Sequence, residues 1–315
     1  MPSPERIRTG VGRFELLLIC VSALGAIGFW ATLKSRLPSD ADYRNAAVFL
    51  EREARPGDAL VLVPWWTDRA RLFLPKHLPI EGYLHQETND FVTHPRLWVL
   101  VQPRLPHDGI AQFERAFLPD RILEAPAVRF GTLELRRYRN GRARSVRFSA
   151  VDAIAQAHVY LERPQGARLE CPFDGVSHRC PGGGDLHVAA EWHELFYAPR
   201  RCLWMKPPGG DARLVVEFAN VPAGVQMTLE GGIVWEHAPR KAGLTPLHVG
   251  VDEGAAQAPL ASLRIEPGDE GMREATWTPA SNLPRTLRLW TQSDKANDRE
   301  SCVELRALGD VGSGS

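Results

Sequence analysis

The sequence predicts a single N-terminal transmembrane helix, then an α/β domain with a Rossmann-like, mostly parallel sheet, then an all-β antiparallel sandwich. Three observations carry this reading. An apolar stretch lies near the N-terminus, helix and strand patterns alternate over residues 40–140, and period-2 strand patterns between turn clusters fill residues 145–308. The boundaries read as a cytoplasmic tail over 1–13, an anchor over 14–33, the α/β domain over 40–140, the sandwich over 145–308 and a disordered tail over 309–315.

The anchor comes first. FELLLICVSALGAIGFWATL runs from Phe14 to Leu33 with Glu15 as its one charge. The 18 uncharged residues from Leu16 to Leu33, at a rise of ~1.5 Å each, cross most of a ~30 Å hydrocarbon core. Arg6, Arg8 and Arg13 precede the stretch and Lys34 and Arg36 follow it. That asymmetry favours a cytoplasmic N-terminus, and Trp30 suits the outer interface. The competing reading is a cleaved signal peptide with Ala23-Leu24-Gly25 as its cleavage site. The apolar run continues past that site, which favours the anchor. Cys20 follows Ile19, so it makes a poor lipoprotein site. Either way the remainder of the chain is exported.

Composition narrows the setting. Formal charge is zero, 38 basic against 38 acidic residues, without the basic excess of a nucleic-acid binder. Only Lys34, Lys76, Lys206, Lys241 and Lys295 are lysines, a composition associated with GC-rich bacterial genomes. The expected location is therefore the bacterial inner membrane, single-pass, with the bulk of the chain periplasmic. Outside the span four cysteines remain, Cys171, Cys180, Cys202 and Cys302, an even number that suits an oxidising compartment. The C-PFDGVSHR-C spacing favours a local Cys171–Cys180 bridge, leaving Cys202 for Cys302. No C-x2-C pair is present, so zinc is not expected.

In the α/β segment, ADYRNAAVFLEREA places Tyr43, Ala46, Ala47, Phe49 and Leu50 near one helical face, and PGD ends it. ALVLV, Ala59 to Val63, is apolar throughout, as a strand buried on both faces should be. A short helix over TDRARLFL with Thr67 as its cap, a strand in LPIEGY and a strand in RLWVLV follow. A helix starts at Asp108, and DRILEAP and VRFGTLELRRY close the domain. RRYRNGRARSVRF, with six arginines between Arg136 and Arg147, reads as an edge strand and solvated linker more readily than as a patch for anionic lipid headgroups or a phosphorylated glycan. Beyond it AHVYLE, DLHVAAEW, RLVVEF, VQMTLEGGIVWEH, LHVGVD, ASLRIE, EATWT, TLRLWTQ and CVELRAL read as strands. Leu214, Val216 and Phe218 share one face, as do Leu247, Val249 and Val251.

Two segments resemble known families. DYRNAAVFLEREARPGDALVLVPWW followed by RLWVLV is similar to the soluble α/β segment at the C-terminus of some bacterial polytopic glycosyltransferases, which use polyprenyl-phosphate sugar donors. APRRCLWMKPPGGDARLVVEFANVPAGVQMTLEGGIVWEH and WTQSDKANDRESCVEL resemble carbohydrate-binding-type jelly-roll domains of such envelope proteins. Together these cover most of residues 40–308. The transferases hold their catalytic acid in a loop between two spans, and this chain has one span. The resemblance therefore implies an accessory or sugar-recognising role without the catalysis, and a membrane glycosyltransferase as a partner.

Candidate chemistry is sparse. After ALVLV come Pro64, Trp65 and Trp66 where a dinucleotide site needs glycines, so no cofactor is expected. No G-x-S-x-G, H-E-x-x-H or P-loop is present, no catalytic residue is assigned, and His193-Glu194 reads as strand surface. The ends of the α/β strands carry Trp65, Trp66 and Asp68, then His85 and Glu87, then Gln102, Arg104 and His107. Such a cleft could hold or cleave a sugar, although polar loop surface explains the same residues. In TLRLWTQ, Leu287 and Leu289 share one face and Arg288, Trp290 and Gln292 the other. An indole among polar neighbours offers a plane for a pyranose, with Arg288 beside it for hydroxyls or an acidic sugar; the competing reading covers that indole. Trp192, Trp204, Trp235 and Trp277 read as core or half-buried. The expected function is a non-enzymatic, membrane-anchored extracytoplasmic accessory protein that recognises envelope glycan or joins a glycan-assembly complex. The alternatives are a sugar-active enzyme using the α/β cleft and a structural subunit of a membrane assembly. The expected partners are the bilayer, through residues 14–33, and glycan or a glycosyltransferase.

Overall fold

The computed structural model describes residues 12–64, 67–81, 91–104, 111, 113–115, 119, 121–195, 198–234, 237, 244–254 and 258–310. The chain divides into two compact units, Met1–Ile80 with Leu97–Arg139 and Glu81–Arg96 with Asn140–Ser315.

The first unit opens with helix α1 (Arg13–Arg36), whose Glu15–Leu33 stretch is long and apolar enough to cross a membrane. Helix α2 (Asp40–Glu53) starts at a reciprocal cap: the Asp42 N–H donates to Ser39 Oγ (3.2 Å) and the Ser39 N–H to Asp42 Oδ2 (2.9 Å). Its Tyr43, Ala46 and Leu50 pack on Leu60 and Leu62 of strand β1 (Ala59–Val63), which is buried throughout. Strand β2 is Ile80–Glu81, and β3 (Arg96–Val101) pairs with β1 in parallel from Ala59↔Leu97 to Val63↔Val101. Strands β4 (Arg121–Leu123), β5 (Val128–Phe130) and β6 (Leu133–Asn140) complete sheet I, ordered β2-β1-β3-β6-β4 with β5 on β6.

Several expectations are corrected here. VRFGTLELRRY is an antiparallel hairpin, β5 against β6, that turns at Gly131 with φ +59°. A Cβ at Gly131 would run into the Asp42 carboxylate, so only glycine fits. Strands β1 and β3 of sheet I run parallel. Most strand pairs of the molecule are antiparallel, and no Rossmann-like order is evident. LPIEGY is a strand only at Ile80–Glu81 within the described residues. TDRARLFL forms a 3-10 turn over Asp68–Leu72 that Thr67 does not cap, because its hydroxyl donates to the Pro64 carbonyl (2.5 Å) instead. The helix expected from Asp108 falls largely outside the described residues.

The second unit is a two-sheet sandwich. Sheet II contains β7 (Arg144–Ser149), β10 (Ser177–Arg179), β11 (His187–Leu195), β12 (Ala198–Met205), β14 (Gln226–Ile233), β17 (Arg273–Trp277) and β19 (Ser301–Asp310). Its order is β10-β11-β12-β19-β14-β17. Strands β12 and β7 pair with successive lengths of β19, Ser301–Val303 and Arg306–Asp310. Gly309 and Asp310 are thus strand residues paired with Ser145 and Arg144, and the disordered tail expected from 309 does not include them. Sheet III contains β8 (His158–Glu162), β9 (Arg168–Glu170), β13 (Arg213–Val221), β15 (Leu247–Glu253), β16 (Ala261–Ile265) and β18 (Arg285–Gln292), ordered β16-β15-β18-β13-β8-β9. Alternation sends Leu214, Val216, Phe218, Leu247, Val249, Val251, Leu287 and Leu289 inward from sheet III. They meet Val188, Leu203, Met227, Leu229, Val303 and Leu305 of sheet II. A short helix α3 (Ala150–Ala153) adds Ala150 and Val151 to that core.

Both disulfides form as the spacing predicts. Cys171–Cys180 closes a nine-residue separation, and Cys202–Cys302 joins β12 to β19 across 100 residues. The second lies buried with Leu195, Trp204, Val234 and Met272. Cys20 is free.

Candidate functional site

The outer face of sheet III carries the chemistry. The alternation that buries Leu287 and Leu289 puts Arg288, Trp290 and Gln292 outward on β18. On β13 it turns out Arg213, Val215 and Glu217, on β8 His158, Tyr160 and Glu162, and on β15 His248, Gly250 and Asp252. Register then aligns three rows. Gly250, Trp290, Val215, Tyr160 and Glu170 form one; Asp252, Arg288, Glu217 and His158 a second; His248, Gln292, Arg213, Glu162 and Arg168 the third.

The middle row is aromatic and covered. Trp290 is 6% exposed, packed with Tyr160 and Val215. Gly250 makes room for it, since a Cβ there would run into the indole. The Arg213 guanidinium lies 4.1 Å from the indole centroid, and that of Arg168 4.4 Å from the Tyr160 ring. Trp290 therefore sits on the predicted face, yet its plane is not open to solvent as a free stacking platform. Arg288 is likewise engaged. It donates to Tyr160 Oη (3.0 Å), the Gly254 carbonyl (3.2 Å) and Glu162 Oε2 (2.6 Å). Burial works against its charge, but the Tyr160 hydroxyl and Glu162 carboxylate hold it above the ordinary arginine range. Burial also pushes the Tyr160 phenol up, while its hydroxyl donates to Glu217 (3.2 Å). His158 meets Glu170 at 2.5 Å.

At the third row the face opens into a cavity of about 310 Å³ lined by Glu162, Arg163, Pro164, Gly166, Asp211, Arg213 and Gln292. That volume lies at the low end of the ~300–1,000 Å³ usual for small-molecule sites. Arg213 borders it while donating to Gln292 Oε1 (3.1 Å) and facing Asp252 (3.7 Å). The β8–β9 hairpin forms the rim, with Gln165 held at φ +77°. A non-glycine residue in that region stores strain of the kind that gathers at binding sites.

The other predicted positions fare differently. Trp65, Trp66, His85, Glu87 and His107 lie outside the described residues, as does the side chain of Asp68. Arg104 is exposed in the turn after β3. Gln102 is spent inside the first unit, its amide donating to Tyr43 Oη (3.1 Å) and Thr67 Oγ1 (3.2 Å). Trp192, expected to be core or half-buried, is 69% exposed on β11, whereas Trp204 is buried and Trp277 half-buried; Trp235 is not described. His193 pairs with Glu191 (3.0 Å). Among the described residues no group of His, Cys, Asp and Glu is placed to hold a metal. In the arginine run, Arg136 pairs with Glu134 and Arg137 with Glu124, and β7 belongs to sheet II. Tyr160, Glu162, Arg163, Asp211, Arg213 and Gly250 were not singled out from sequence. Extending the period-2 argument from TLRLWTQ to AHVYLE and RLVVEF would have turned Tyr160, Glu162 and Arg213 outward.

No family model matches the chain, and no curated protein matches it. Solved structures with some likeness include the Clostridium thermocellum endo-1,4-β-D-xylanase 10B modules complexed with xylohexaose. Identity there is 11% and the TM-score 0.28, over 42% of this chain and 26% of that one. A xylan-binding module matches at 7% identity and TM-score 0.29, over 50% of this chain and 95% of that one. A module of a Clostridium perfringens protein in complex with methyl-galactose matches at 8% and 0.25, over 47% and 79%. The chain thus spans about a quarter of the xylanase chain. Likeness at this level carries no conclusion about what the chain binds, and none of it supports the likeness of residues 42–101 to glycosyltransferases.

Proposed function

We propose that this chain is a non-enzymatic, membrane-tethered extracytoplasmic protein that recognises envelope glycan at the outer face of sheet III. The observation that carries the reading is the cavity of about 310 Å³ beside an arginine-covered indole, with acceptors from Glu162 and Asp211 and donors from Arg163, Arg213 and Gln292. A pyranose presents an apolar C–H face and a rim of hydroxyls that both donate and accept. Seating one costs its hydroxyls their water unless the wall supplies partners of both kinds. This wall supplies both.

Arg213 acts as a movable cover. A partly exposed cation–π contact is worth only ~0.5–1 kcal/mol, so a sugar face can replace the guanidinium over Trp290 while Gln292 and Asp252 keep hold of the arginine. Helix α1 tethers the chain, with the rest of it on the periplasmic side of the inner membrane. We take residues 40–140 as a separate α/β domain built around the parallel pair β1–β3.

The test is a screen of the full chain in detergent micelles against an array of bacterial envelope glycans, repeated with Gln292→Trp, which fills the cavity. Binding by the wild type with a loss of tenfold or more in the variant is expected. Equal binding by both, or no glycan bound by either, removes this face from consideration.

A further inference from the structure

Among the described residues, two charges of opposite sign in this cavity have no partner. Arg163 and Asp211 both line it and both are exposed, and neither side chain makes a hydrogen bond or ion pair among the described residues. The other charged walls are committed. Glu162 is taken by Arg288 (2.6 Å) and Arg168 (3.7 Å), and Arg213 by Gln292 (3.1 Å) and Asp252 (3.7 Å). Arg163 and Asp211 do not pair with each other within 4.0 Å, and both border the one space of about 310 Å³.

Their backbones are fixed. The Arg163 N–H donates to the Ala167 carbonyl (2.8 Å) and its own carbonyl accepts from Gly166 N–H (3.1 Å). Beside Asp211, the Gly210 N–H donates to the Asp294 carbonyl (2.9 Å), and Gly209 and Gly210 hold φ of +85° and +62°. A binding wall gains most from a ligand whose charges complement its own, because both unpaired groups lose water on contact. A neutral hexose leaves both charges uncompensated. An acidic sugar satisfies Arg163 and strands Asp211, and an amino sugar does the reverse.

Resting on the glycan reading above, we infer that the cavity selects a zwitterionic glycan substituent, an ammonium together with a phosphate or carboxylate on one residue. The ammonium meets Asp211 and the anion meets Arg163. The shared chemistry covers a phosphoethanolamine-substituted sugar and one bearing an amino acid joined through its side chain, and the arms of the test separate them.

The experiment titrates the full chain in detergent micelles by calorimetry. The probes are one oligosaccharide unsubstituted, bearing phosphoethanolamine, bearing N-acetylated phosphoethanolamine, and bearing a serine joined through its side-chain oxygen, which keeps its ammonium and carboxylate free. A zwitterionic form, one or both, is expected to bind at least tenfold tighter than the unsubstituted and N-acetylated forms, with the advantage shrinking in high salt. Which zwitterion wins identifies the anion. Asp211→Asn should reduce the zwitterion to the affinity of the N-acetylated form while leaving the latter unchanged, and Arg163→Gln should weaken both phosphate-bearing probes but not the unsubstituted one. Equal affinity for all probes, or variants that weaken every probe alike, overturns the inference and leaves glycan recognition standing. Failure of all probes to bind overturns both.

Discussion

At Trp290 the strand period and the packing give different answers about one side chain. Alternation alone places it outward, opposite Leu287 and Leu289, and a truncation there would leave the core intact. In the fold the same indole is 6% exposed, lies on Val215 and Tyr160, fills the space above Gly250 and is covered by Arg213. Trp290→Ala is therefore expected to destabilise the chain by ~3–5 kcal/mol, the usual cost of emptying a buried aromatic site. Chemical denaturation of wild type and variant measures this, and a change below ~1 kcal/mol would show that the indole is not part of a packed layer. The Arg213 cover has the opposite character. Its contact with the indole is worth ~0.5–1 kcal/mol, but it also holds Gln292 (3.1 Å) and faces the buried Asp252 (3.7 Å). Arg213→Lys, which keeps a cation for Asp252, is therefore the change to make when binding is measured. A covered indole is one of the two readings of TLRLWTQ, but what covers it is not legible there, because the covering residue is on β13 and the small one on β15.

Elements were more legible than their pairing. The helix α2, the buried strands β1 and β3 and nine sandwich strands follow from periodicity, since each buries one face or both. The hairpin β5–β6 was read as one segment because the turn rests on a lone Gly131. Strand β12 was not marked, since APRRCLWM carries two adjacent arginines that break the alternation, yet it lies between β11 and β19. Cysteine spacing did what strand patterns could not and tied Cys202 on β12 to Cys302 on β19. That bridge spans 100 residues and the Cys171–Cys180 bridge nine. In the chain-entropy model the corresponding loops stabilise by ~4.7 and ~2.5 kcal/mol. A Cys202→Ala/Cys302→Ala variant should thus lose more stability than Cys171→Ala/Cys180→Ala, read from the urea midpoint of each. The reverse ranking would mean that packing around Cys171 and Cys180, both core residues, outweighs loop length.

Across the whole molecule, the apolar segment and the disulfides make linked demands on location. Glu15–Leu33 forms a helix with none of its described side chains buried, an arrangement that water does not favour and a bilayer does. Arg36 follows it, and every residue of the two disulfides comes later. Bridges persist on the oxidising side of a bacterial inner membrane and are reduced in the cytoplasm. If α1 crosses with its N-terminus inside, alkaline phosphatase joined after Arg36 should be active and a cytoplasmic reporter at the same point silent. The full chain should remain with membranes after alkaline carbonate extraction, which strips peripheral proteins. Release of a shortened chain into the soluble periplasm, with phosphatase still active, would identify α1 as a cleaved export signal and remove the tether alone. A silent phosphatase would place the sandwich in the cytoplasm, where the Cys202–Cys302 bridge between β12 and β19 would not persist and the glycan-facing reading of sheet III would have no ligand to meet.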